Sequence, residues 1–208
     1  MAARSVDRVV AWVSRRKLYS LVVLGPEAVG KTTLLNSWRG TWQEGLHYQP
    51  TQAIRPVGTA RLKADGQRLM LPDLHDVSGR TTSYAVWEAQ VQHAQVVVYL
   101  VNAQHLYRYE QAEGFTAEWG RIRDDAGQIG PWLREVDVDR CIVAVTHRDK
   151  DDRFAGLGEQ AYLDVVEEQL APIVSKLGGE GKVRVVTGSL DTRANADRLT
   201  DRIMEQLW

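Results

Sequence analysis

"LVVLGPEAVGKTTLLN", residues 21–36, is the stretch from which the fold can be read. The apolar run Leu21–Leu24 reads as a strand that stops at Gly25, and a helix-like "LLNSW" follows Thr33. The spacing Gly25-x-x-x-x-Gly30-Lys31-Thr32 is that of a phosphate-cradling loop set between a strand and a helix. In such a turn backbone N–H groups aim at phosphate oxygens, and the helix N-terminus adds its positive end. Glu27, Ala28, Val29, Gly30, Lys31, Thr32 and Thr33 are therefore the candidate phosphate-contacting residues. Lys31 would reach the β- and γ-phosphates, and the Thr32 hydroxyl would ligate Mg²⁺. A Glu27 carboxylate aimed inward would repel phosphate, so it is expected to point outward. The loop by itself does not name the nucleotide.

Outward from the loop, apolar runs at 18–24, 68–76, 96–102, 141–147 and 183–189 alternate with helix-like stretches near 31–39, 80–92, 108–128, 159–177 and 195–207. Continuous Val/Ile/Leu runs suit strands buried on both faces, and the alternation is the βαβ signature. "AIRPVGTARLKADGQRLML" (53–71) departs from that rhythm and reads as two strands joined by Asp65-Gly66, a hairpin signal. Pro56 confines the first of them to a sheet edge. The expected architecture is a three-layer α/β fold of the P-loop NTPase kind. Its sheet would be six-stranded and mainly parallel, with one antiparallel edge strand and helices on both faces. Residues 120–139 read as the most loop-like stretch.

Bulk properties narrow the function. The chain has 208 residues, 44% of them hydrophobic and 25% charged, with a formal net charge of −1. One domain is expected, and no basic excess points to nucleic acid. The single cysteine, Cys141, excludes an internal disulfide and fits a reducing cytoplasm; inside "CIVAV" it reads as a buried small hydrophobe. No stretch reaches the apolar length of a spanning helix, no secretory leader is expected, and "MEQLW" carries no prenylation signal. Residues 1–17 read as an N-terminal helical extension ahead of a domain spanning 18–208. That helix is expected to pack on the domain edge, the alternative being a basic segment that touches a membrane or a partner.

Two further pieces converge on the loop. Thr51 in "YQPTQ" (48–52) can complete a Mg²⁺ shell and sense a γ-phosphate. Asp76 in "LHDVSGR" (74–80) ends an apolar strand, the Walker-B position for a carboxylate that holds Mg²⁺. Gly79 lets a backbone N–H approach the γ-phosphate. The candidate metal ligands are thus Thr32, Thr51 and Asp76.

Taken in order, GPEAVGKTT, YQPT and DVSG resemble the first three boxes of the Ras/Arf-like small GTPases. The resemblance covers residues 18–207, and Glu27 together with Asp76-Val77 is closer to the Arf branch than to Ras. It implies a guanine-reading motif, Asn-Lys-x-Asp, after the fifth strand; here Thr146-His147-Arg148-Asp149 stands there. Asp149 is kept, and a carboxylate accepting from two guanine N–H groups is a contact adenine cannot supply. His147 can lie flat on a purine in place of the Lys stem. Ser189-Leu190-Asp191 occupies the fifth box, usually Ser-Ala-Lys, and makes Ser189 and Leu190 candidates for the base side.

The resemblance implies a switch that binds GTP and GDP with Mg²⁺, hydrolyses GTP, and signals to a protein effector or regulator through loops near 41–52 and 76–87. Lys31, Thr51 and Arg80 would be its catalytic residues. The family places a water-orienting Gln where this chain has Arg80, which has no acceptor, so slow intrinsic hydrolysis is expected. The alternatives are a nucleotide-binding interaction module with little or no turnover, or a P-loop ATPase. Trp38, Trp42 and Trp87 lie near the two switch loops and read either as partner anchors or as core fillers.

Overall fold

The computed structural model describes residues 16–43, 51, 54–64, 67–106, 113–136, 138–152 and 155–207. In chain order the elements are strand β1 (Arg16–Leu18), β2 (Leu21–Leu24), helix α1 (Lys31–Trp38), β3 (Ile54–Ala64), β4 (Gln67–Val77), α2 (Tyr84–Val91), β5 (Val96–Asn102), α3 (Glu113–Glu135), β6 (Arg140–Thr146), α4 (Glu159–Leu177), β7 (Val183–Thr187) and α5 (Arg193–Glu205). The fold is α/β, as the alternation requires.

The strands do not form one six-stranded sheet. Among the described residues β2-β5-β6-β7 form a wholly parallel sheet, and β1-β4-β3 form a second one in which β3 and β4 are antiparallel. The expected strand 18–24 divides between them. Its start pairs with β4 through Leu18↔Met70, and its end pairs with β5 from Leu21↔Val96. The step falls at Tyr19 and Ser20. The Tyr19 N–H still donates to the Met70 carbonyl, while the Ser20 carbonyl already accepts from Gln95 and Val96. One short segment thus serves both sheets. β3 lies at an edge, where Pro56 needs no ladder partner on its open side. Ala64 pairs with Gln67, as an intervening Asp65-Gly66 turn demands, although the turn itself lies outside the described residues.

Side-chain alternation along the parallel strands divides the core. In β5, Val97, Tyr99 and Val101 face a cluster with Trp87 of α2, Ile122 and Ile129 of α3, and Val166 and Leu170 of α4. Val96, Val98 and Leu100 face the opposite cluster with Leu34, Leu35 and Trp38 of α1 and Leu199 and Ile203 of α5. A strand period of two between helical layers on both faces accounts for the unbroken apolar runs.

Residues 120–135, expected as loop, are helical. Ile122, Ala126, Ile129 and Leu133 form a buried stripe at helical spacing. At Gly130 helix α4 packs against the backbone: a Cβ there would lie 2.1 Å from the Lys176 carbonyl oxygen. Pro131 sits on the exposed side, so the carbonyl it leaves unbonded a turn earlier can be served by water. Packing against α4 outweighs the local helix-breaking signal. Residues 1–15 of the expected N-terminal helix lie outside the described residues, and Arg16 and Lys17 belong to β1. No helix among the described residues is long and apolar enough to cross a membrane.

Candidate functional site

The parallel strands β2, β5 and β6 end at Leu24, Asn102 and Thr146, and the loops that follow surround a cleft of about 470 Å³. Clefts at the carboxyl ends of parallel strands are the usual ligand position in open α/β sheets. The lining includes Glu27, Ala28, Gly30, Lys31, Thr32, Thr33, Thr51, Gly79, His147, Asp149 and Leu190, all candidates from the sequence. It also includes Asn102, Gln104, Lys150 and Asp191. Asn102 ends β5 and Gln104 follows it, and that position at the mouth of a parallel strand is the signal that could have found them. A groove of about 540 Å³ between α1, β3 and α5 is larger but has no such convergence; its Arg193 and Asp197 pair with each other.

The loop 25–30 carries Ala28 at φ 60° and Gly30 at φ 96°. Such left-handed residues gather backbone N–H groups into a concavity suited to an anion. Lys31 begins α1 and is buried, its Nζ donating to the carbonyls of Gly25 (2.8 Å) and Pro26 (2.6 Å). Burial pushes its pKa down to about 8, against the pull of Asp76 and Glu27. Val29 is core-facing at 1% exposure; its carbonyl accepts from the Thr146 hydroxyl at 2.9 Å.

Asp76 is buried at the end of β4 and gathers the polar contacts of the cleft. Its Oδ2 accepts from the Thr32 hydroxyl at 2.7 Å and the Thr51 hydroxyl at 3.0 Å, with Arg55 Nη2 at 3.7 Å. Its Oδ1 is buried and has no partner among the described residues. A buried carboxylate oxygen without a donor is costly unless something else fills the role. Among the described residues no three His, Cys, Asp or Glu side chains gather at one point. A cation here would therefore rely on hydroxyls, one carboxylate and substrate oxygens, the donor set that Mg²⁺ accepts. Thr32, Thr51 and Asp76 fit that ion.

The turn after β4 is held from both sides. A Cβ at Gly79 would meet the Glu27 nitrogen and the Pro26 carbon, each at 2.4 Å, so glycine is required for this approach to the loop. From the other side the Trp87 indole N–H donates to the Ser78 carbonyl at 2.8 Å. Arg121 Nη2 donates to the Gly79 carbonyl at 2.9 Å. Arg121 Nε in turn bonds Asp125, which also accepts from the hydroxyls of Tyr84 and Tyr99. Burial pushes the Asp125 carboxyl up, opposed by these donors. Arg80 leaves the turn toward solvent and bonds Glu27 Oε1 through Nε at 2.9 Å. Glu27 thus turns its carboxylate toward Arg80 while still lining the cleft.

On the other end, Thr146 is fully buried, and its hydroxyl ties the end of β6 to the carbonyls of Val29 and, at 3.2 Å, Val101. His147 follows at φ 58°, its Nδ1 3.0 Å from the Thr146 oxygen. Nδ1 and the hydroxyl share one hydrogen bond, whose direction follows the ring tautomer. Burial, aided by Lys150, holds the imidazole pKa below its ordinary value. The Asp149 N–H donates to Ser189 Oγ at 3.0 Å, so the fourth and fifth candidate boxes are joined directly. Trp38 and Trp87 are core residues, and Trp38 donates to Thr200. Tyr48 to Pro50 and Gln52 lie outside the described residues.

The model of the ADP-ribosylation factor family, Arf, fits residues 6–118. This is more than half of the chain and takes in residues 25–33, Thr51 and the segment 76–80. No curated protein matches the chain.

Proposed function

The chain belongs to the ADP-ribosylation factor family and is a small GTPase-like switch in that general sense; from that premise we propose that it binds GTP and GDP with Mg²⁺, hydrolyses GTP slowly, and signals to a protein effector or regulator in the cytoplasm. The observation that carries this reading is the convergence of Thr32 and Thr51 on one oxygen of Asp76 beside a buried Lys31.

The Gly25–Gly30 loop and the first turn of α1 would hold the phosphates, with Lys31 exchanging its carbonyl partners for β- and γ-oxygens. Thr32, Thr51 and Asp76 would hold Mg²⁺, which when bound neutralises charge on the phosphoryl oxygens. Thr51 and the Gly79 N–H would report the γ-phosphate to the loops near 41–52 and 76–87. Asp149 would accept from the guanine N–H groups, with the neutral His147 ring against the base and Ser189 and Leu190 completing the base side.

Slow turnover follows from Arg80. A guanidinium cannot accept a hydrogen bond from the attacking water as a Gln carbonyl can. The same residue favours the second reading, an interaction module with little or no turnover. Titration of labelled GTP, GDP and ATP with Mg²⁺, followed by phosphate release, tests both. Guanine preference with slow release supports the main reading. Tight GTP binding without release supports the module, and equal ATP and GTP affinity overturns the guanine assignment in favour of an ATPase.

A further inference from the structure

The Glu27–Arg80 pair stands where the family's water-orienting Gln would act, and its chemistry suggests a different use for that position. Glu27 lines the cleft with Lys31, Thr32, Thr51 and Gly79. Arg80 reaches it from the turn that Gly79 presses against the loop. The contact uses Arg80 Nε, so both terminal nitrogens of the guanidinium have no intramolecular partner among the described residues. The side chains are 52% and 44% exposed. An ion pair so exposed is worth little and opens readily. It also joins the two segments that a γ-phosphate would lie between, one bearing a negative group and the other a positive one.

Resting on the guanine-nucleotide reading above, we propose that Glu27 and Arg80 form a charge-exchange clasp that discriminates nucleoside triphosphate from diphosphate. A γ-phosphate repels the Glu27 carboxylate and attracts the Arg80 guanidinium, so its arrival trades one partner of Arg80 for another. The planar fork suits phosphate oxygens better than a single Nε contact to a carboxylate. A diphosphate offers no such exchange and leaves the pair closed. Arg80 thereby becomes a specificity-determining residue for the triphosphate, and Glu27 the element that opposes it. The restraint is selective because Glu27 acts on the γ-phosphate, whereas Lys31 and the loop N–H groups serve both nucleotides.

The test is the ratio of affinities for fluorescent GDP and a non-hydrolysable GTP analogue with Mg²⁺, in the full chain and its variants. Arg80→Gln should weaken the triphosphate by about tenfold relative to GDP, the scale of one charge-assisted contact. Glu27→Gln should shift the ratio the other way, toward the triphosphate, and Arg80→Lys should fall between wild type and Arg80→Gln. Thermal unfolding of each variant without nucleotide should match wild type, since an exposed pair adds little to stability. An unchanged ratio in both Gln variants, with wild type binding both nucleotides, overturns the clasp and leaves the guanine reading standing. Failure of wild type to bind either nucleotide overturns both.

Discussion

Arg121 Nη2 donates to the Gly79 carbonyl at 2.9 Å and thereby ties the turn after β4 to helix α3. The same guanidinium bonds Asp125, which is fully buried and also accepts from Tyr84 and Tyr99. Removing one partner of such a buried pair leaves the other charge uncompensated. Arg121→Met should therefore destabilise the domain by about 3 kcal/mol in denaturant unfolding. The Asp125 carboxyl already lies above its ordinary value, mainly through burial. Without its cation it will rise further, so a proton taken up in the folded state recovers part of the loss. The deficit should narrow as pH falls; a deficit constant with pH would show that Asp125 is not the group left stranded.

Asp76→Asn tests the metal reading. The buried Oδ1 lacks a donor among the described residues and Oδ2 serves two hydroxyls. The amide keeps the shape but loses the charge a divalent cation requires. Mg²⁺-dependent nucleotide binding should weaken at least about tenfold, while binding with EDTA present changes little. An equal loss with and without Mg²⁺ would point to a structural role instead.

Lys31 should give nucleotide binding a pH signature. Its pKa of about 8 is depressed by burial, while phosphate oxygens favour the charged amine. Binding then takes up protons above that value, so affinity is level below it and declines as pH rises through it. Calorimetry in buffers of different ionisation enthalpy measures the uptake directly. The sign for stability is opposite. The folded pKa lies below the unfolded value of 10.5, so the charged amine opposes folding at neutral pH, and stability without nucleotide should rise between the two values. Lys31→Met should accordingly raise or preserve the melting temperature without nucleotide and abolish any further rise on adding GDP.

Gly79→Ala tests the close approach of the turn to the loop. The added Cβ would meet two backbone atoms of Pro26 and Glu27 at 2.4 Å, which no flexible side chain can relieve. The turn must move away, and triphosphate affinity should drop more than GDP affinity if the Gly79 N–H senses the γ-phosphate. Equal affinity losses would assign Gly79 to packing alone.

Asp149→Asn tests base recognition. The Asp149 backbone is anchored to Ser189 independently of its carboxylate, so the substitution should leave the loop in place. Preference should move from guanine toward xanthine, whose ring offers an acceptor that the amide can serve. An unchanged preference in a competition assay would reject the contact.

The candidate site was legible wherever its residues are neighbours in sequence or sit at the end of an apolar run. Gly25 to Thr33 form one loop-to-helix segment, Asp76 lies at the end of an apolar strand, and Asp149 closely follows another. The partners of the turn were not legible. Trp87 reads only as a partner anchor or a core filler and Arg121 carries no motif, because nothing local shows that they reach Ser78 and Gly79. Residues 120–135 were misread for a related reason. Gly130 and Pro131 are local breaking signals, and only the proximity of Lys176 shows that the glycine makes room for a packed helix.

The sequence by itself determined the alternation of strands and helices, the phosphate-loop spacing and the family, because these rest on periodicity and on contacts between near neighbours. The tertiary structure decided that the first strand divides between two sheets, that Thr32 and Thr51 meet at one oxygen of Asp76, and that Glu27 pairs with Arg80. Those relations join residues far apart in the chain. Their geometry depends on how the helical layers close over the sheet, and no local pattern carries that information.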